Sequence, residues 1–238
     1  MLKHREEKPD RKSTPKSRGA TVQRTLRSVA LGHSYEVCEF AKDGSASSKP
    51  KENNRRITLW TVGHSTRPVN DFVTLLQAHG IQQLVDVRTI PRSRHNPQFN
   101  QDQFPESLNQ VGIHYLHLPA LGGLRHAHRD SVNTAWRNAS FRGFADYMQT
   151  PEFEAALKEL IRLARSRRTA IMCAEAVPWR CHRSLIADAL FVRGLHVEEI
   201  TSKTSTRPHT LTPWASVDGE RITYPSVPAP LEPIRRKN

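Results

Sequence analysis

The feature that most constrains this chain is an alternation, between residues 57 and 200, of short β-rich apolar runs and segments of helical spacing. Residues 57–62 form an apolar run that ends at Gly63. Residues 70–79 repeat apolar side chains at helical intervals, with Phe72, Leu75, Leu76 and His79 on one side, and stop at Gly80. Residues 83–87 read as a second strand, 102–111 as a short helix closed by Gly112, and 113–118 as a third strand centred on Tyr115 and Leu116. Beyond a long loop through Gly122 and Gly123, residues 141–148 and 151–165 read as helices. Pro151 suits a first helical position, where its missing N–H is not needed, and Phe153, Ala156, Leu157, Leu160, Ile161 and Ala164 make one apolar face. Residues 170–173 and 197–200 supply a fourth and a fifth strand, on either side of a helix over 184–192. Strands that alternate with helices predict an α/β fold: a single domain with a mainly parallel open sheet and helices on both faces.

The flanks read differently. The net charge is +13, and residues 1–56 carry +7 of it. That segment, rich in Lys, Arg, Ser, Glu and Pro, cannot bury enough apolar surface to offset its ordering entropy, so a disordered basic tail is expected. Such a tail either holds phosphate backbones by counterion release or is simply solvated. After Arg207, prolines at 208, 213, 225, 228, 230 and 233 forbid a helix and suggest an extended Pro-rich tail over 207–238. The expected α/β domain is therefore 57–206. No apolar run reaches the roughly 20 residues of a membrane helix, and the N-terminus has no apolar signal region, so no membrane partner is expected. Three cysteines do not make a disulfide framework, and a reducing cytoplasmic setting follows as the expectation.

In open α/β sheets ligands bind beyond the carboxyl ends of the strands. Here those ends carry Gly63-His64-Ser65, then Arg88 with Ser93 and Arg94, then Gly122-Gly123 with Arg125, then Glu175 with Cys181-His182-Arg183. The densest stretch is 172–183, M-C-A-E-A-V-P-W-R-C-H-R. Cys181 falls at a helix start, where unpaired N–H groups and the neighbouring His182 and Arg183 favour the thiolate. That fits a nucleophile, a metal ligand or a redox thiol; the alternative is a cysteine that packs and reacts with nothing. Cys173 ends an apolar strand, where packing is the default. Glu175 and Asp86 are candidate acid/base groups, although Asp86 also suits an ion pair with Arg88 or Arg183. Arg88, Arg94, Arg125 and Arg183 suit two-point binding of a phosphate or carboxylate, and Gly122-Gly123 lets backbone approach it. His64 and Ser65 suit proton transfer or oxygen binding, or Ser65 caps the next helix. Trp136 and Trp179 are the best-placed aromatics for stacking on a base. Zinc needs about four ligands; Cys173, Cys181, His182 and His64 supply them only if the fold gathers them, and their spacing matches no standard zinc pattern.

The motifs T-V-G-H-S (61–65), D-V-R-T-I-P-R-S-R (86–94), L-G-G (121–123), F-R-G-F-A-D-Y-M (141–148) and C-A-E-A-V-P-W-R-C-H-R (173–183) together resemble the bacterial domain-of-unknown-function family 488, over about residues 58–200. The resemblance implies a DNA-repair-related setting, and it names no reaction. The family pattern often ends the fifth strand with His-Ile, where this chain has Glu199-Ile200. The resulting expectation is an enzyme that acts on an anionic small molecule, a nucleotide or a nucleic acid. Cys181 reacts, Glu175, Asp86, His182 and His64 assist, and Gly63, Ser65, Arg88, Ser93, Arg94, Gly122, Gly123, Arg125, Cys173 and Arg183 bind. The competing expectations are a non-catalytic nucleotide or nucleic-acid binding module and a thiol redox or sulfur-transfer protein. No cofactor is required by any of the three.

Overall fold

The computed structural model describes residues 57–226. The apolar runs become strands: β1 (Thr58–Gly63), β2 (Gln83–Asp86), β3 (His114–His117), β4 (Thr169–Cys173) and β5 (His196–Ile200). All five are parallel, and they are joined by β6 (Thr206–Pro208), antiparallel to β5, in the order β3-β2-β4-β1-β5-β6. β2 and β4 are buried along their whole length, as central strands covered on both faces must be.

Successive side chains in a strand point to opposite faces, so each strand feeds two cores. Leu59, Val85, Ile171 and Val197 pack with α3 (Ala139–Tyr147), α4 (Pro151–Ser166) and α5 (Arg183–Val192). Trp60, Val62, Leu84, Ala170 and Met172 pack with α1 (Val69–Ala78) and α2 (Phe104–Asn109). Local chemistry sets the helix starts. Asn138 caps α3 by accepting from the Ser140 N–H at 2.8 Å, and Thr150 caps α4, with Pro151 at its first position.

β1 and β2 lead to α1 and α2 on one face, whereas β4 leads to α5 on the other. The connections diverge above β4 and leave a crevice at its carboxyl end, where Gly63, Asp86 and Cys173 terminate neighbouring strands.

Three expectations change. The 102–111 helix shortens to Phe104–Asn109, followed by a turn in which Gly112 takes φ 74°. Leu116 is 37% exposed, because β3 pairs with β2 alone among the described strands and lies at the edge of the described sheet. The chain after Arg207 is extended, but through residue 226 it is docked. β6 adds to the sheet, with Pro208 on the edge strand where a missing N–H is tolerated, and β7 (Ser216–Asp218) and β8 (Arg221–Thr223) form a hairpin. Tyr224 is fully buried, and its hydroxyl donates to Asp188 on α5 at 2.8 Å. The expected basic tail (1–56) and the last twelve residues of the Pro-rich segment lie outside the described residues. No described helix is long and apolar enough to cross a membrane.

Candidate functional site

At the carboxyl end of β4 the chain leaves the sheet at Cys173, makes a single 3-10 turn over Pro178–Arg180, and enters α5 through Cys181 and His182. The turn folds back far enough that the Cys173 and Cys181 sulfurs and a His182 ring nitrogen all lie within 4.8 Å of one another. Both cysteines are buried, at 8% and 3% exposure, and neither is in a disulfide.

His182 is oriented by two contacts. Its Nε2–H donates to the Val87 carbonyl at 3.1 Å, since a carbonyl can only accept. Nδ1 therefore faces the Cys181 sulfur, at 3.7 Å. Gly123 packs directly on the imidazole, and a Cβ there would collide with the ring. The Arg183 backbone N–H also points at the Cys181 sulfur, at 3.5 Å. Burial pushes the Cys181 thiol up, but hydrogen bonds from Cys173 and His182 and the charges of His182 and Arg183 outweigh it and hold the thiol well below its usual range. Cys173 moves the opposite way: its S–H donates to Cys181, and burial adds to the rise.

Arg183 is completely buried. Its Nη2 donates to the Glu175 carbonyl at 2.7 Å, while Nε and Nη1 have no partner among the described residues. Among the described residues it makes no ion pair with a carboxylate.

A second buried cluster lies beside the cysteines. Asp86, fully buried, accepts from the Arg88 backbone N–H at 3.0 Å, from Nε at 2.9 Å, from Nη2 at 2.6 Å and from the Tyr115 hydroxyl at 2.7 Å. The ion pair with Arg88, one of the two roles open to Asp86 in the sequence, is the arrangement found. Arg88 also donates to the Phe99 carbonyl at 2.7 Å and reaches His64 Nε2 at 3.3 Å. His64 donates from Nδ1 to the Ser65 carbonyl at 2.7 Å and stacks on Phe99 with ring centres 4.2 Å apart. Burial lowers its pKa to about 4, helped by the charges of Arg88 and Arg183 and opposed by the Ser65 hydrogen bond and Asp86, so the ring is neutral at pH 7.

Cys173, Cys181, His182, His64 and Arg88 open onto a cavity of about 450 Å³. Of the residues singled out in the sequence, it gathers His64, Arg88, Ser93, Gly123, Cys173, Glu175, Cys181 and His182. Asp86, Gly63, Ser65, Gly122, Arg94 and Arg125 are not in its lining, and Arg183 faces a neighbouring cavity instead. Arg125 is used locally: it donates to the Gly122 and Ala120 carbonyls and lies 3.6 Å over the Tyr147 ring. Gly63 has a packing role, because a Cβ there would run into the Glu175 carbonyl. Glu199, at the position where the sequence departs from the family pattern, pairs with Arg207 at 2.8 Å and also lines the neighbouring cavity.

The cavity holds two cations that the sequence reading missed. Arg92 and Arg180 are exposed, line it, and make no ion pair among the described residues. Both lie inside the quoted motifs, but one-residue spacing does not say whether Arg92 or Arg94 turns inward. Cys173, Cys181 and His182 offer three ligand atoms to a metal, and His64 is not part of that cluster.

No curated protein and no solved structure matches the chain. A family model does, over residues 68–190, which run from the residue before α1 into α5 and include both Cys173 and Cys181. That stretch is more than half of the sequence, and the chain belongs to the family described as domain of unknown function DUF488.

Proposed function

We propose that the protein is an enzyme whose nucleophile is the Cys181 thiolate, acting on an anionic substrate held by Arg92 and Arg180. One observation carries this reading: Arg183 is a fully buried guanidinium with no carboxylate partner among the described residues. Arginine does not lose its proton in proteins, and a buried charge needs a counter-charge. Cys181 is near enough to feel that charge and can supply a counter-charge, and its sulfur is also approached by the Arg183 backbone N–H. A thiolate there neutralises Arg183 and is primed to attack an electrophilic centre. His182, with Nδ1 turned to the sulfur, takes the thiol proton and returns it to the leaving group. Glu175, exposed at the cavity mouth, is the second candidate for proton transfer. Two free thiols this close fit a reducing compartment such as the cytoplasm.

A second reading, thiol exchange, is favoured by the short distance between the two sulfurs. Attack of Cys181 on a small external disulfide, followed by attack of Cys173 on Cys181, forms the internal disulfide and releases two thiols. Zinc is a weaker reading. A divalent ion on two thiolates and one imidazole leaves an open fourth position, as in catalytic zinc sites. It also consumes both negative charges and leaves Arg183 uncompensated.

The test is alkylation with iodoacetamide between pH 5 and 9, mapped by mass spectrometry. Cys181 should label in preference to Cys173, at a rate already on its plateau below the ~8.5 of a free thiol. Cys173→Ala should move that profile upward, because it removes a donor to the thiolate. An ordinary thiol profile at Cys181 overturns the catalytic reading and leaves a non-catalytic anion-binding module. Complete protection of both thiols by one equivalent of zinc would establish the metal reading instead.

A further inference from the structure

Behind the 3-10 turn over Pro178–Arg180 lies a second cavity, of about 440 Å³, on the side of α5 that faces β5 and the docked C-terminal segment. Three tryptophans wall it. Trp136 and Trp214 meet edge to face with ring centres 5.4 Å apart, and Trp179 and Trp214 are 61% and 44% exposed. Large apolar rings left open to water around a concavity of this size mark a ligand site.

The polar groups at its wall narrow the ligand class. Arg183 Nε and Nη1 and Trp136 Nε1 are buried donors with no acceptor among the described residues. A Cys181 thiolate answers the charge of Arg183 but not these N–H groups. Buried donors left unpaired are costly, so the cavity asks for acceptors. It does not ask for net charge. Arg207 is paired with Glu199 at 2.8 Å, His209 with Asp188 at 2.8 Å, and Arg183 with the thiolate, the last being a step that rests on the function proposed above. The matching ligand is flat, neutral, and carries carbonyl or ring-nitrogen acceptors on its edge, with Glu199 available to accept an N–H.

We infer that this second cavity binds a nucleobase, stacked on Trp179 and turned edge-on to Arg183 and Trp136. Stacking on an aromatic side chain tolerates any base, and acceptor-bearing edges such as those of uracil and guanine fit the donors best. The base comes either from a free nucleotide or from an unpaired position in a single strand.

The experiment is quenching of tryptophan fluorescence in the full chain. The probes are uridine and guanosine 5′-monophosphate, a short oligouridylate, ribose 5-phosphate and benzoate. Saturable quenching by the nucleotides or the oligomer, but not by ribose 5-phosphate or benzoate, is expected. Trp179→Ala should weaken binding about tenfold, since its ring is mostly exposed and its loss removes one stacking partner. Trp136→Phe should weaken it by a smaller factor, through loss of one donor. Quenching by both mononucleotides and oligomer assigns a free nucleotide, and quenching by the oligomer alone assigns a nucleic acid; both support base binding. Equal quenching by ribose 5-phosphate or benzoate, no saturable quenching by any probe, or wild-type affinity in Trp179→Ala overturns it. The alkylation profile of Cys181 is read separately, so a failure here with that profile intact rejects base binding alone.

Discussion

Replacing Asp86 with Asn should cost about 3–5 kcal/mol of stability, the usual cost of leaving one member of a buried ion pair without its counter-charge. The structure sets that scale. Asp86 has no solvent exposure and Arg88 only 7%, so water can solvate little of the orphaned guanidinium. The substitution keeps the shape of the side chain but removes its charge. It also turns an amide N–H₂ toward donors: the Arg88 backbone N–H, Nε and Nη2, and the Tyr115 hydroxyl. For a domain of this size each kcal/mol moves Tm by about 2–4 °C, so a fall of roughly 6–20 °C is expected. Urea unfolding followed by circular dichroism gives the free energy, and a thermal scan gives the shift. The control is the double variant Asp86→Asn with Arg88→Met. Removing the stranded cation should restore at least half of the loss, because a buried pair replaced by apolar groups is often neutral. A single variant within about 1 kcal/mol of wild type, or a double variant no better than the single, would refute the assignment of Arg88 as a charge held in place by Asp86.

Other consequences follow from buried groups around the two cavities. The His64 pKa, about 4 when folded against 6.5 unfolded, means the unfolded chain binds the extra proton between those values. Its stabilisation is complete above about pH 6.5 and is lost as pH falls toward 4, by about 3 kcal/mol in total. His64→Gln should flatten the stability–pH curve by that amount, and parallel curves for the two proteins would count against a buried neutral imidazole. Tyr224→Phe should lower stability by about 1.5–3 kcal/mol in urea, because it removes a hydrogen bond to the fully buried Asp188 carboxylate. A change below about 0.5 kcal/mol would mean that residues 209–226 dock without this anchor.

The sequence by itself determined the sheet and the end of it at which the candidate residues gather. The run 170–173 is short and apolar on every residue, and 83–87 is apolar at Leu84, Val85 and Val87, which suits strands buried on two faces, while the spacing of 151–165 suits a helix with one apolar face. Once those elements are parallel, the residues after each strand must gather at one edge, which is why His64, Arg88, Glu175 and Cys181 come near one another from separate parts of the chain. Which side chains turn inward was decided only by tertiary structure. Arg92 faces the cavity while Arg94 does not, because the path of that loop depends on packing against other segments. Arg183 and Trp136 line a cavity that exists only because the segment after Arg207 folds back over α5. Its prolines exclude a helix but cannot say whether an extended chain docks; that was settled by Asp188, a carboxylate inside α5 whose partners His209, Thr212 and Tyr224 are more than twenty residues away. The direction of the Cys181 shift likewise rests on contacts across space. A cysteine at a helix start becomes a thiolate or a packed thiol according to what is buried beside it, and Cys173, His182 and a guanidinium without a carboxylate are brought there by the turn between β4 and α5.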